Sequence, residues 1–157
     1  MALSMPLLSL AVVSTAWAGG LRGEYAIKST YGCKTGSKWC NARLSWDYSK
    51  PHPVATVEHN DPVVWKITPV KGVKNGYRIR SRYGCKSRNK WCDAELSWDH
   101  KKPHPVATVE HDDPVVWKIT KVRGVKNGYR IRSTYGCKTG DKWCNGALSW
   151  DHKKPHP

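Results

Sequence analysis

Residues 83–134 read YGCKSRNKWCDAELSWDHKKPHPVATVEHDDPVVWKITKVRGVKNGYRIRST, and the chain repeats this text at a constant spacing of 52 residues. Residues 31–82 differ from it at 11 positions, and a third copy begins at Tyr135 and follows the same text to Pro157. A fixed period of this kind indicates one supersecondary unit that has been copied. Because an enzyme normally needs one asymmetric site, three copies favour a repeated binding surface or a repeated structural element.

Each unit alternates short apolar strands with turn residues. Gly76–Ser81 alternates apolar and polar side chains, the period of a half-buried strand, and Asn75-Gly76 is typical of a hairpin turn. The other predicted strands of the unit are 94–98, 106–110 and 115–120, the last with Val115, Trp117 and Ile119 on one face. No segment has helical periodicity, so the sequence predicts an all-β fold, either a sandwich or a barrel.

The six cysteines occur as one C-x6-C pair in each unit, namely Cys33 with Cys40, Cys85 with Cys92, and Cys137 with Cys144. An even number of cysteines at a repeated spacing is typical of a disulfide framework in an exported chain. Because each unit must fold in the same way, we predict that each pair closes its own loop. Such a loop stabilises a unit by about 2.5 kcal/mol if the effect is entropic. Zinc binding is the weaker alternative, since zinc knuckles have shorter spacings and a second pair nearby.

The N-terminal segment has the features of a secretory signal peptide. Residues 1–18 contain no charged residue, run through the apolar stretch 7–13 and end in Ala16-Trp17-Ala18. Signal peptidase requires a small-x-small ending of this kind, and the apolar run is too short to span a bilayer. The usual basic residues at the start are missing. We predict a signal peptide at 1–18, a mature domain at 19–157 and a secreted, extracellular protein. A buried first strand or helix is the alternative for this segment.

The chain is strongly basic, with 27 Lys and Arg against 12 Asp and Glu and a formal net charge of +15. A field of this sign attracts polyanions. For an exported protein these are acidic polysaccharides, acidic matrix proteins, anionic mineral surfaces or bacterial surfaces. Nucleic acid is the partner expected of a basic intracellular protein. A lysine excess that only maintains solubility is the alternative.

The order of elements within a unit resembles the β-trefoil repeat. It runs through a Tyr-x-Ile-x-Ser strand, Leu-Ser-Trp-Asp, Val-x-x-Val and Val-x-Trp-x-Ile before an Asn-Gly turn. The Trp-x-Ile element is similar to the Q-x-W strand of ricin-type β-trefoil lectins, although Val64 and Val116 stand where that motif has Gln. The resemblance implies three four-stranded units about a pseudo-threefold axis, at about 25–76, 77–128 and 129–157.

The third of these units is incomplete, because the sequence ends before its last two strands. We expect either that the sequence is a fragment of a longer precursor or that the units are autonomous β-modules in an open array. A module of this size would depend on its disulfide. The units are also longer than the usual trefoil repeat by about the size of the disulfide loop.

The tryptophans fall into three classes. Trp65 and Trp117 lie in the middle of strands and are predicted to be core, whereas the tryptophans of Leu-Ser-Trp-Asp could be core or surface. The third class lies beside the second cysteine of each unit and follows a lysine, as Lys38-Trp39, Lys90-Trp91 and Lys142-Trp143. An aromatic plane beside a cation on a stapled loop is a candidate sugar platform or polyanion contact. The alternative is that the indole covers the disulfide.

Catalytic motifs are absent from the sequence. It contains no G-x-S-x-G, no H-E-x-x-H and no P-loop, and no free cysteine remains if the disulfides form. We interpret the histidines as exposed loop residues, and Asn60-Asp61 and Asp112-Asp113 as turn residues rather than calcium ligands. The sequence therefore predicts a non-enzymatic protein without catalytic residues, metal or cofactor.

The sequence predicts an extracellular or biomineral matrix component that binds polyanions or polysaccharide, without nucleic-acid binding or membrane insertion. Its composition is similar to that of secreted invertebrate matrix proteins, including those of mollusc shells, which combine a signal peptide, near-identical tandem units, Trp and Tyr richness and strong charge. A soluble β-trefoil lectin or defence protein is the alternative. A protease inhibitor is a weaker one, because a fold alone does not decide function.

Overall fold

The computed structural model describes residues 8–12, 20–30, 32–46, 55–58, 63–99, 106–110, 115–142 and 144–149. In order, the strands are β1 Leu8–Val12, β2 Gly23–Ser29, β3 Arg43–Trp46, β4 Ala55–Glu58, β5 Trp65–Pro69, β6 Gly76–Ser81, β7 Glu95–Asp99, β8 Val106–Glu110, β9 Trp117–Lys121 and β10 Gly128–Ser133. A short 3₁₀ turn covers Cys85–Ser87, and the described residues contain no α-helix. All ten strands belong to one curled antiparallel sheet, so the predicted all-β class is confirmed.

Six strands pair in a ring. β1 pairs with β2, β2 with β5, β5 with β6, β6 with β9, β9 with β10, and β10 with β1 again, always antiparallel. Two hairpins, β3–β4 and β7–β8, attach outside the ring to β2 and β6. The pairs that attach them are Lys28 with Arg43 and Arg80 with Glu95. In the third unit the corresponding bridge joins Arg132 and Ala147.

The register of the ring repeats with the sequence. Trp65 of β5 pairs with Tyr25 on one side and Ser81 on the other, and Trp117 of β9 pairs with Tyr77 and Ser133 in the same way. Strand β1 completes the pattern, because Leu8 pairs with Tyr129 and Ser29. Strand β1 lies within the segment 1–18 that the sequence predicts to be a signal peptide.

Strands β5, β6, β9 and β10 bury one set of alternating side chains. In the β9 region Val115, Trp117 and Ile119 are buried, while Lys118 and Thr120 on the alternate positions are not, as the period of a strand requires. Trp65 and Trp117 are fully buried, so their predicted core position is confirmed. The core consists of side chains from the ring and the hairpins, including Ile27, Ile67, Ile79, Leu96, Ile119 and Ile131.

Each buried ring tryptophan is also tied to a hairpin. The indole Nε1–H of Trp65 donates a hydrogen bond of 2.9 Å to the carbonyl oxygen of Leu44, and that of Trp117 donates one of 2.8 Å to Leu96. A buried indole N–H without a partner would cost free energy, so these bonds fix both the indole and the hairpin above it. The tryptophans of Leu-Ser-Trp-Asp in the first two units, Trp46 and Trp98, are buried as well.

The loop between β5 and β6 shows how the Asn-Gly pair acts. Asn75 has a φ of 55°, in the left-handed region that Asn tolerates, and Gly76 begins β6. A Cβ at Gly76 would lie 2.5 Å from Cγ1 of Val73, so only glycine fits. The predicted hairpin is confirmed, but its connection runs over residues 70–75 and is closed by a bond from Val70 N–H to Gly76 O.

Candidate functional site: the stapled loops and the charged face beside them

Each disulfide closes a loop that follows a ring strand. The bonds are Cys33–Cys40, Cys85–Cys92 and Cys137–Cys144, with Cα atoms 4.7, 4.6 and 4.6 Å apart. The prediction that each unit closes its own loop is therefore confirmed. Because the loops follow β2, β6 and β10, the ring presents the same stapled element three times.

The interior of each loop is fixed by backbone bonds as well as by the disulfide. In the second unit, the N–H groups of Ser87 and Asn89 both donate to the carbonyl oxygen of Gly84 at 3.0 Å. Gly84 has a φ of 63°, and a Cβ there would lie 2.3 Å from Cβ of Asn89. At the loop entrance, the Oγ of buried Ser81 accepts a bond of 3.0 Å from Tyr83 N–H. Side chains on this loop are consequently presented from a rigid frame.

The lysine–tryptophan pairs of the first two loops have the geometry of a cation–π contact. Nζ of Lys38 lies 5.0 Å from the ring centroid of Trp39, and Nζ of Lys90 lies 5.0 Å from that of Trp91. Both lysines are exposed, whereas both indoles are half-buried. In the third loop Lys142 is exposed, and Trp143 lies outside the described residues. The structure thus joins the cation to its aromatic plane in the first two loops.

The half-burial of Trp91 has a cause that the sequence did not reveal. Its ring packs edge-on against Trp46 of the preceding unit, with centroids 5.3 Å apart and planes at 84°. Tyr83 contacts the same Trp46 at 5.6 Å and 88°, and Tyr135 contacts Trp98 at 6.0 Å and 71°. The aromatic residues of one loop therefore rest on the hairpin tryptophan of the unit before it. These contacts join different units, so the sequence of one unit does not predict them. The 52-residue period is the one sequence feature related to them.

A second feature, which sequence reasoning missed, is an ion-paired cluster on the outer face of β6. Arg78 Nη1 donates a bond of 2.9 Å to Oε1 of Glu95, and Arg80 donates to the same oxygen through Nε at 3.0 Å and Nη2 at 2.8 Å. Glu95 is buried although both arginines are partly exposed. One sequence difference could have pointed to this cluster. Glu95 in the second unit stands where the first unit has Arg43.

Arg82 forms a further cluster that joins the first two units. Its Nε donates a bond of 2.8 Å to Glu24, and its Nη1 donates one of 3.0 Å to Asp93. The hydrogen bond that Arg82 donates to Asp93 is the main cause that raises the pKa of Arg82 above its ordinary value, and desolvation opposes it.

Basic residues also line a shallow cleft of about 540 Å³ at the loop between β9 and β10. Its lining includes Lys121, Arg123 and Lys126, and all three are exposed. An open, cationic cleft of this kind suits an anionic polymer that lies along the surface. A small molecule usually binds in a more enclosed pocket.

The described residues offer one grouping of metal-ligand types, Cys85, Cys92 and Asp93, whose ligand atoms lie within 4.8 Å of one another. Both sulfurs are joined in the disulfide, so neither is the thiolate that a metal requires. All seven histidines, predicted to be exposed loop residues, lie outside the described residues. They are His52, His59, His100, His104, His111, His152 and His156.

No protein-family model, curated protein or solved structure matches this chain. Among the described residues, no helix has the length and apolar character needed to cross a membrane. The function must therefore be inferred from the charge, the stapled loops and the ring itself.

Proposed function

We propose that this is an exported, non-enzymatic repeat protein that binds extracellular polyanions or acidic polysaccharide as a component of an extracellular or biomineral matrix. The observation that carries this proposal is the pair of Lys–Trp contacts, Lys38 with Trp39 and Lys90 with Trp91, held at 5.0 Å on equivalent stapled loops. The net charge of +15 supplies the long-range attraction, and the loops supply repeated points of contact.

A β-trefoil is the architecture that the fold supports best. The pairing of β2, β5, β6, β9 and β10, which all lie in the predicted mature domain, the two hairpins attached to them, and the recurrence of one register at a spacing of 52 residues favour a threefold arrangement of four-stranded units. In such an arrangement the three stapled loops would be spaced around the ring, so that one polymer or mineral face could contact more than one of them.

The experiment is retention on immobilised heparin and on a carboxylated matrix over a salt gradient. Exposed charges are screened within about 8 Å at physiological ionic strength, so the retained protein should elute steeply as salt rises. The triple variant Lys38→Gln, Lys90→Gln and Lys142→Gln should elute at lower salt than a control with the same charge loss on exposed Arg22, Lys71 and Lys74. Trp91→Ala should weaken retention without unfolding the protein.

Equal shifts for the two triple variants would show that retention follows net charge and does not involve the stapled loops. Absence of retention at low salt would contradict the proposed function itself. A soluble lectin is the alternative that the half-buried indoles favour, because an indole face can stack on a sugar ring. Elution by a neutral sugar but not by salt would support the lectin.

A further inference from the structure

The second unit shows what its pair of arginines binds. Arg78 and Arg80 stand two residues apart on β6 and direct three N–H donors to one carboxylate oxygen of Glu95, at 2.8 to 3.0 Å. Glu95 reaches them because its Cα is paired with that of Arg80 across the sheet. Charge-assisted bonds of this length from arginine to carboxylate are among the strong hydrogen bonds of proteins.

The third unit has the same arginines and lacks the carboxylate. Residues 76–81 and 128–133 are identical in sequence, so Arg130 and Arg132 stand in the places of Arg78 and Arg80. Arg132 is paired with Ala147 as Arg80 is paired with Glu95. The neighbouring strand is also equivalent, since Lys118 opposes Arg132 as Lys66 opposes Arg80. At the paired position the second unit supplies the carboxylate of Glu95, and the third unit has Ala147.

The consequence is visible in the hydrogen bonding of Arg132. Its Nε is buried and has no hydrogen-bond partner among the described residues, whereas the equivalent Nε of Arg80 donates to Glu95. Buried N–H groups in folded proteins nearly always have a partner, so an unsatisfied guanidinium donor indicates a place for an acceptor from outside. Arg130 and Ala147 are both exposed, so a ligand can approach.

The first unit does not have the arginine pair. There the two places are occupied by Ala26 and Lys28, and Lys28 faces Arg43. A lysine is a point charge without the planar fork of donors that matches a carboxylate. The third unit alone among the three combines two arginines with no carboxylate at the position of Glu95.

We propose that Arg130 and Arg132 form a binding site for a carboxylate of an acidic polysaccharide, that is, for a uronic acid residue. This inference rests on the proposed function and names the ligand class. Carboxylate is preferred to sulfate because the same fork in the second unit holds a carboxylate. Polysaccharide is preferred to an acidic peptide because β10, which carries both arginines, leads directly into the third stapled loop with its exposed Lys142.

The test uses the full chain and fills the site with a carboxylate from the protein itself. Ala147→Glu installs the carboxylate of the second unit, and it should lower the affinity for a uronic acid oligosaccharide by about tenfold, the loss of one charge-assisted contact. Lys74→Gln changes the net charge by the same amount on the exposed loop between β5 and β6 and should lower the affinity by less than about twofold. Ala147→Gln fills the same volume without charge and controls for blockage. If Ala147→Glu and Lys74→Gln behave alike, the site is not where the polymer binds.

A second measurement separates this site from the proposed function. The Nε–Hε resonance of Arg132 should shift on titration with monomeric glucuronate and should stay unchanged with its methyl ester. A shift in a protein that no polymer matrix retains would support the site and contradict the function, and retention without a shift would do the reverse. An equal shift with a sulfated sugar that has no carboxylate, or a stronger response to a glutamate peptide, would overturn the proposed ligand class.

Discussion

Strands β1 and β9 occupy equivalent positions in the ring, but their sequences, LSLAV and WKITK, share no residue. Each pairs with a Tyr on one neighbour and a Ser on the other, Leu8 with Tyr129 and Ser29, and Trp117 with Tyr77 and Ser133. Backbone N–H and C=O groups make these ladders, and they do not depend on the side chain. The position is therefore defined by the edges of the neighbouring strands.

The two strands differ in their roles beyond the backbone ladder. β9 contributes the buried Trp117 and its bond to Leu96, and so fixes a hairpin as well as a ring position. β1 lies within the segment 1–18 that the sequence predicts to be removed on export. Cleavage after Ala18 would remove β1 and leave the edges of β10 and β2 unpaired, and an unpaired edge is a template for another strand. Export and closure of the ring by these residues would then exclude one another.

The largest effect is expected for Trp117→Ala. Trp117 is fully buried and donates a hydrogen bond of 2.8 Å to Leu96 O, so its truncation should lower the free energy of unfolding by about 3–5 kcal/mol. Trp117→Phe keeps most of the apolar volume and should cost less. Denaturant unfolding measures both. A loss below about 1 kcal/mol for the alanine variant would contradict the view that Trp117 fixes the hairpin to the ring.

A chain without residues 1–18 should lose protection where β1 was paired. Amides of β10 and β2 that belong to the ladders with β1 should exchange with solvent about ten- to a hundredfold faster, whereas those of the ladder between β6 and β9 should change less. Hydrogen exchange measured amide by amide tests this. A peptide with the sequence of 115–121, VVWKITK, should restore protection, and a scrambled peptide should not. Unchanged exchange in the shortened chain would mean that β1 does not hold this place in solution.

Much of the local structure followed from the sequence of one unit. The alternation at Val115, Trp117 and Ile119 predicted a strand with one buried face, and the repeated C-x6-C spacing predicted the disulfides. These features are local, because a strand has a period of two and a short loop brings its own cysteines together. The short strands, the turn signals and the lack of helical periodicity also predicted the all-β class.

The contacts between units could not be predicted in this way. Nothing within one unit indicates that Trp91 packs on Trp46, because the two residues meet only when successive units are arranged in space. The position of β1 was equally hidden, since its sequence matches no part of the repeat and its partners lie in the first and third units. The difference between the arginine pairs of the second and third units could be seen only once the register was known. It pairs Arg80 with Glu95 and Arg132 with Ala147.

The smallest effect is expected when β1 is given the key residue of β9. Leu8 has the same register as Trp117, and Leu148 stands in the third unit where Leu96 stands in the second. In Leu8→Trp the new indole Nε1–H should therefore donate to Leu148 O, as Trp117 donates to Leu96 O. The added apolar burial and this bond should raise the free energy of unfolding of the full chain by about 1–2 kcal/mol.

Leu10→Ile is the matched control for this variant, because it copies Ile119 of β9 with little change in volume and should alter the stability by less than about 1 kcal/mol. Indole fluorescence supplies a second readout, since a buried, hydrogen-bonded indole at residue 8 should emit at shorter wavelength than an exposed one. If Leu8→Trp is no more stable than the parent chain and its new indole is solvent-exposed, the equivalence of β1 and β9 is limited to the backbone. The third position of the ring would then lack the link between strand and hairpin that Trp65 and Trp117 provide in the other two.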